Sequence, residues 1–342
     1  MSPLENPMRP FLNTTLAAAS AVAFLVSAAG AAARPGDTVH DRFTAASKAA
    51  GTEHVNLYNM LCPRLSDANA GKIATPPNHR AASMDGAVPF KVFDNLYYVG
   101  EKDFWESSAS AWVIDTPEGI VLLEALYPDS GKVLIEAGMR KLGLDPARIK
   151  YVIVSHAHLD HFGAARYFQD KYKARVLMSE ADWAMLEASR TPAAEKPTRD
   201  MVVADGQTLS LGGFTMTFYV TPGHTPGTLS ILFPVTDRGQ RHVVAEWGGT
   251  GFGFGGAQGA DKVRWFETYN ASAMRFRDLA AKAGADVLIA NHPGLDRTYD
   301  KIAGLQARAA GGANPWVIGP QKVQDYVTTA GECAAAGARS MD

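Results

Sequence analysis

The sequence predicts an α/β fold, arranged as a four-layer αββα sandwich. Three observations point to it. Short β-branched and aromatic runs cluster in two halves of the chain, over 91–123 and 207–245. Segments with helical spacing close each half. Histidines fall in the loops that follow three of the strand-like runs, where an α/β fold carries its chemistry.

Residues 1–33 read as a signal peptide. Arg9 supplies a thin positive region, 16–26 is apolar and alanine-rich, and Ala29-Gly30-Ala31 and Ala31-Ala32-Ala33 offer small-residue cleavage sites. The apolar stretch is short for a span, so no stable membrane insertion is expected after cleavage, and the mature protein is expected to be periplasmic or secreted. Residues 34–87 form an N-terminal extension with one helix over 38–50 and a Pro76-Pro77 stretch, expected to pack on the core. The main domain runs over 88–310. A C-terminal extension over 311–342 ends in a helix over 321–336.

Within the main domain, strands are expected at 91–93, 96–99, 111–114 and 119–123, the last two joined by the turn Thr116-Pro117-Glu118-Gly119. A helix over 130–142 leads to a strand over 149–154. Helix 162–172, strand 174–178 and helix 180–189 follow, with the first helix starting near Gly163 and its positive end towards the preceding loop. The second half has strands at 207–211, 214–220, 228–233 and 241–245. A long amphipathic helix over 262–283 and a strand over 286–290 complete it.

The loop after strand 149–154 reads Ser155-His156-Ala157-His158-Leu159-Asp160-His161, with four metal-ligand side chains inside six residues. Neutral imidazoles and a carboxylate suit Zn²⁺ where no thiolate is offered. His224 lies in the braced turn Pro222-Gly223-His224-Thr225-Pro226-Gly227 after strand 214–220. His292 lies in Asn291-His292-Pro293-Gly294 after strand 286–290. A polar turn explains any one of these histidines alone. It does not explain five of the nine histidines at strand ends.

These residues resemble the metallo-β-lactamase superfamily, whose signature is H-x-H-x-D-H, then a G-H-T-P-G turn and a late histidine. The resemblance spans about 89–305 and is most similar to the class B3 enzymes. It implies a zinc-dependent hydrolase with two Zn²⁺ per chain, His156, His158 and His224 holding one and Asp160, His161 and His292 the other. It further implies a bridging hydroxide as nucleophile, with Asp160 orienting it for catalysis. The chain departs from the B3 pattern twice. Ala245-Glu246-Trp247-Gly248-Gly249 stands where those enzymes carry A-D-S-x-S, so the two serines are absent. Glu246 is the nearest candidate for the bridging carboxylate of other branches, and is expected behind the metals. Glu124, in Leu122-Leu123-Glu124-Ala125, replaces the usual aspartate that buttresses a ligand.

Two loops are expected to wall the pocket. One, over 100–110, carries Trp105, the expected substrate-contacting aromatic, and Lys102, the candidate anchor for a substrate carboxylate. The other, the glycine-rich 247–256, reads as a flexible aromatic lip with Trp247 on the substrate. Cys62 and Cys333 are the only cysteines. In an oxidising compartment they are expected to pair and tie the N-terminal extension to the last helix, two separate buried thiols being the alternative.

The formal net charge of −2 and the lack of a basic run interleaved with aromatics argue against nucleic acid. The expected partner is a small molecule, a β-lactam or similar small amide. A lactonase or esterase is the alternative that the missing serines favour, and an iron-dependent sulfur dioxygenase is a further one. A non-catalytic binding protein fits least, since all six ligand positions hold competent residues. Nothing in the sequence fixes an oligomeric state.

Overall fold

The computed structural model describes residues 37–65, 89–101 and 108–341. The expected signal peptide, Pro76-Pro77, Lys102 and Trp105 lie outside the described residues. Helix α1 (Val39–Ala50) opens with a capping box, in which the Thr38 hydroxyl accepts from the Asp41 N–H and the Asp41 carboxylate accepts from the Thr38 N–H. Helix α2 (Val55–Leu61) was not anticipated, and its N-cap His54 makes no side-chain capping bond. Packing supplies what capping does not: Leu57, Tyr58 and Leu61 are buried. Cys62, just past its end, is disulfide-bonded to Cys333.

Strands β1 (Phe90–Lys91), β2 (Leu96–Tyr98), β3 (Trp112–Thr116) and β4 (Gly119–Leu123) pair antiparallel in chain order. The single helix expected over 130–142 is instead α3 (Pro128–Ser130), a π-helical turn at Gly131–Ile135, and α4 (Glu136–Lys141). Strand β5 (Ile149–Ile153) then joins β4 in parallel. The helix expected over 162–172 is divided into α5 (Leu159–Phe162) and α6 (Ala165–Tyr172). The break falls at Gly163, where the chain passes so close to Leu126 that a Cβ would sit 2.6 Å from its carbonyl oxygen. The helix therefore starts earlier than expected, and Asp160 and His161 ride in the first turn of α5. Strand β6 (Arg175–Ser179), α7 (Glu180–Ala188) and β7 (Met201–Val203) complete a seven-stranded sheet ordered β1-β2-β3-β4-β5-β6-β7.

The second sheet has five strands in the order β12-β11-β10-β9-β8. Its members are β8 (Thr208–Leu211), β9 (Phe214–Val220), β10 (Leu229–Asp237), β11 (Gln240–Trp247) and β12 (Val287–Ala290), with only β12 parallel to its neighbour. Helix α8 (Gly259–Lys282) connects β11 to β12. Helices α9 (Thr298–Gln306) and α10 (Pro320–Arg339) follow.

The period-2 alternation of the strands sorts side chains into three apolar layers. Along β4, Val121 and Leu123 face the space between the sheets, with Ile231, Val244 and Ile289 of the other sheet. Ile120 and Leu122 face the opposite way, onto Met139, Phe168 and Trp183 of the first helical layer. On the far side, Ala245, Trp247 and Leu288 lie under α8 and α10, together with Phe43 of α1 and Leu57 of α2. The architecture is the four-layer αββα sandwich. No helix among the described residues is long and apolar enough to cross a membrane.

Candidate metal centre

Three strand ends deliver the histidines to one edge of the sandwich. Beyond β5 the chain turns through His156 and His158 into α5, beyond β9 it reaches His224, and beyond β12 it reaches His292. Ligand atoms of His156, His158 and His224 all lie within 4.8 Å of one another, and so do those of Asp160, His161 and His292. The His161 ring stands 4.1 Å from that of His156, so the two clusters adjoin.

In the first cluster, His224 Nε2 is 3.1 Å from His156 Nε2 and 2.9 Å from His158 Nδ1. The outward nitrogens are already engaged. His156 Nδ1 donates to the Gly248 carbonyl at 2.9 Å, and His224 Nδ1 donates to the Gly251 carbonyl at 2.6 Å. With Nδ1 protonated, both Nε2 atoms present lone pairs to each other across 3.1 Å, a repulsive arrangement unless a cation lies between them. Burial, reinforced by the neighbouring imidazoles, holds His156 far below the usual histidine pKa and His224 at about 3. The rings are neutral near pH 7, which is the form that binds a metal.

The second cluster is built around a carboxylate. Asp160 Oδ2 lies 3.2 Å from His161 Nε2 and 3.8 Å from His292 Nε2. His161 Nε2 is a buried atom without a hydrogen bond that meets the geometric criteria among the described residues. His292 Nδ1 donates to the Ser108 carbonyl at 2.8 Å, and His161 Nδ1 to Glu124 Oε2 at 3.1 Å. Burial opposes a charge on His161, but Asp160 and Glu124 outweigh it and lift its pKa to about 10. Burial likewise opposes ionisation of Asp160, and His161 and His292 overcome it, holding the carboxyl below its usual range. Burial lowers His292 to about 4. An orphaned Nε2 beside an ionised carboxylate fits a divalent cation.

Asp182, on α7, was not singled out from the sequence, yet it joins two of the ligand loops. Its carboxylate accepts from the Ala157 N–H at 2.9 Å, the Thr225 hydroxyl at 2.7 Å and the Gly227 N–H at 2.7 Å. Ala157 sits between His156 and His158, and Thr225 follows His224, so one buried side chain sets the spacing of the first cluster. The local signal was only that of a helix start: the Asp182 N–H donates to the N-cap Ser179 hydroxyl. The glycine-rich run was assigned to the lip, and its carbonyls at Gly248 and Gly251 instead orient ligands.

Trp247 is the clear correction. It is the last residue of β11, 1% exposed, and it faces α8, where its Nε1–H donates to the Tyr269 hydroxyl at 2.9 Å. The period-2 alternation that points Glu246 between the sheets points Trp247 away from the site, so it does not contact substrate. The lip is likewise anchored, with Phe252 and Phe254 packed edge-on against Phe266. Glu246 is fully buried and belongs to neither ligand cluster. Neither of its oxygens has a hydrogen-bond partner among the described residues, and burial followed by the nearby Glu124 raises its pKa well above the usual carboxyl range.

Comparison with known proteins agrees with this geometry. Residues 105–238 match the family model described as the metallo-beta-lactamase superfamily. A hydroxyacylglutathione hydrolase of Acidiphilium cryptum is 35% identical over 86 residues, covering 25% of this chain and 31% of that protein. The N-acyl homoserine lactonase AttM of Azorhizobium caulinodans is 26% identical over 185 residues, covering 49% of this chain and 67% of that one. The first of these matches thus spans less than a third of the relative's length. Among solved structures, the native FEZ-1 metallo-beta-lactamase from Legionella gormanii superposes with a TM-score of 0.60 at 25% identity, over 71% of this chain and 92% of that one. BJP-1, a subclass B3 metallo-beta-lactamase of Bradyrhizobium japonicum, gives 0.55 at 26% identity, over 71% and 90%. The two sheets, the histidine-bearing strand ends and these likenesses lead to one conclusion: residues 105–238 match the metallo-β-lactamase superfamily, and the fold resembles that of the class B3 enzymes.

Proposed function

We propose that the protein is a dizinc hydrolase that opens a β-lactam or a similar small amide. The observation that carries this reading is the pair of adjoining three-ligand clusters, with His156 and His224 turned outward onto carbonyls through Nδ1. His156, His158 and His224 hold one zinc, and Asp160, His161 and His292 hold the other. Bound there, the zinc pair supplies a water acidic enough to attack a carbonyl near neutral pH and a Lewis acid for the carbonyl oxygen. The protein's own contribution is to keep His156, His158, His224 and His292 neutral by burial and to fix the ligand rings through Gly248, Gly251, Ser108 and Glu124. Asp160 Oδ2, ionised beside His161 and His292, is placed to orient the attacking water.

A second reading, a lactonase or esterase, is favoured by one feature. Trp247 and Gly249 stand where the B3 serine pair is expected, and Gly249 packs so tightly that a Cβ would meet the His224 Cβ at 2.5 Å. No hydroxyl there is available to hold a β-lactam carboxylate. The complete second cluster argues against a mononuclear iron dioxygenase. We place the mature protein in the periplasm or outside the cell, a reading supported by the apolar, small-residue segment at 1–33 and by the Cys62–Cys333 disulfide. The balanced charge favours a small-molecule substrate over nucleic acid.

The test is hydrolysis of a chromogenic cephalosporin and of an N-acyl homoserine lactone, each with zinc and after chelation, alongside metal analysis. Two zincs per chain and chelator-sensitive cephalosporin turnover are expected. Lactone turnover alone moves the protein to the second reading. One iron per chain, with neither substrate consumed, overturns both.

A further inference from the structure

Helix α2 packs against two of the ligand-bearing loops. Asn56 and Met60 are one helical turn apart and therefore share a face. Asn56 Nδ2 donates to the Gly294 carbonyl at 2.6 Å, two residues past His292. Met60 reaches the other side of the site, beside Gly251, whose carbonyl orients His224. A Cβ at Gly251 would lie 3.5 Å from His224 Cε1 and 3.8 Å from Met60 Cε, so the ligand ring and the thioether border the same small gap. Gly251, His224 and Met60 are each half-buried.

The opposite face of α2 is fixed. Leu57, Tyr58 and Leu61 pack in the layer beneath α8 and α10. His54 Nε2 donates to the Lys322 carbonyl at 2.7 Å, and the His54 ring stands edge-on to Tyr326. The disulfide locks the helix end to α10. A helix clamped at this many points is a wall and not a mobile lid. The side chain that α2 places beside Gly251, next to His224, is methionine, a flexible, polarisable group suited to irregular apolar surfaces.

We propose that α2 forms a fixed wall of the substrate pocket and that Met60 is its specificity-determining residue, contacting an apolar substituent of the substrate on the His224 side. The inference rests on the zinc-hydrolase reading and deepens it, assigning the substrate a hydrophobic group next to the scissile carbonyl.

The test uses two thiol ligands of the zinc-loaded, full-length protein: mercaptoacetate, which spans little beyond the metals, and N-benzyl-2-mercaptoacetamide, which extends a ring from them. Affinities are measured by calorimetry, with zinc content determined in parallel. Met60→Ala is expected to weaken the benzyl thiol about tenfold, the equivalent of roughly 1.4 kcal/mol. Mercaptoacetate should change less than about twofold and two zincs should be retained. Met60→Leu, which conserves volume, is expected to restore most of the lost affinity. Equal weakening of both thiols, or no change in either, overturns the proposal. Failure of both thiols to bind the wild-type protein overturns the zinc reading itself, and this inference with it.

Discussion

Glu124 joins the end of β5 to the second ligand cluster: its Oε1 accepts from the Ser155 N–H at 3.1 Å while its Oε2 lies 3.1 Å from His161 Nδ1. The backbone at Glu124 has φ +68°, in the left-handed region that non-glycine residues seldom occupy. The two-sided tether of its carboxylate offsets that strain. The longer glutamate thus does the buttressing that the resemblance assigns to aspartate. Glu124→Ala removes the acceptor that fixes His161, and is expected to weaken the Asp160–His161–His292 site about 10- to 100-fold. Metal titration should then show one tight site and one weakened site. Two unchanged sites would mean that Glu124 is structural only.

Asp182 plays the matching part for the first cluster. Asp182→Ala strands three buried donors, the Ala157 and Gly227 N–H groups and the Thr225 hydroxyl. The expected loss of stability is about 3 kcal/mol, with the affinity of the His156–His158–His224 site falling about 10- to 100-fold. Chemical denaturation of the metal-free protein isolates the first effect, and metal titration the second. An affinity loss confined to the second site would contradict the tether.

The ligands were legible because their chemistry is local: histidines packed into loops directly after β-branched runs. What tethers the ligands was not, because it depends on contacts between distant segments. Asp182 lies 25 residues from Ala157 and 45 from Gly227, and its immediate neighbours suggest only a helix start. Helix α2 was illegible for a related reason. Seven residues without a capping side chain carry little helical signal, and the helix exists because α8, α10 and the disulfide hold it. Trp247 was misplaced by ending the last strand two residues early. Extending the alternation from Val244 and Ala245 puts Glu246 inward and Trp247 outward.

Glu246 is a buried carboxyl with no partner among the described residues, sited between the sheets behind Glu124. A neutral side chain should serve better there. Glu246→Gln is expected to leave both metal sites intact and stability within about 1 kcal/mol. Glu246→Met, which removes the unsatisfied polar group, is expected to raise stability by about 1–3 kcal/mol. The readouts are metal stoichiometry and the denaturation midpoint. Loss of a metal with Glu246→Gln would place this carboxylate among the ligands.

His54 supplies a pH dependence with a definite sign. Burial, only partly offset by its bond to the Lys322 carbonyl, lowers its pKa from 6.5 to about 4. Between those values the unfolded chain takes up a proton that the native state refuses. The stability contributed by neutral His54 is therefore fully present above pH 6.5 and is lost as pH falls towards 4, by on the order of 3 kcal/mol. His54→Gln abolishes this titration and leaves the other histidines in place. The difference in unfolding free energy between wild type and variant should thus shift against the wild type by that amount from pH 7.5 to 4. A pH-independent difference would show that His54 charges freely in the folded protein.

The disulfide links residues 271 apart in sequence, and the loop-entropy argument gives a stabilisation of about 5.6 kcal/mol for a closure of that length. The measured value is expected to be smaller, about 2–4 kcal/mol, because residual structure in the unfolded chain already limits its freedom. Its functional effect should be selective. Cys62 follows α2 directly, whereas every ligand loop is held by Glu124, Asp182 and backbone carbonyls that the disulfide does not touch. The Cys62→Ser/Cys333→Ser double variant is thus expected to unfold at lower denaturant and to bind metal with unchanged affinity. It should lose affinity for N-benzyl-2-mercaptoacetamide while keeping that for mercaptoacetate, because a loosened α2 no longer holds Met60 against the gap beside His224. A variant that loses zinc along with stability would show instead that the clamp supports the metal centre itself.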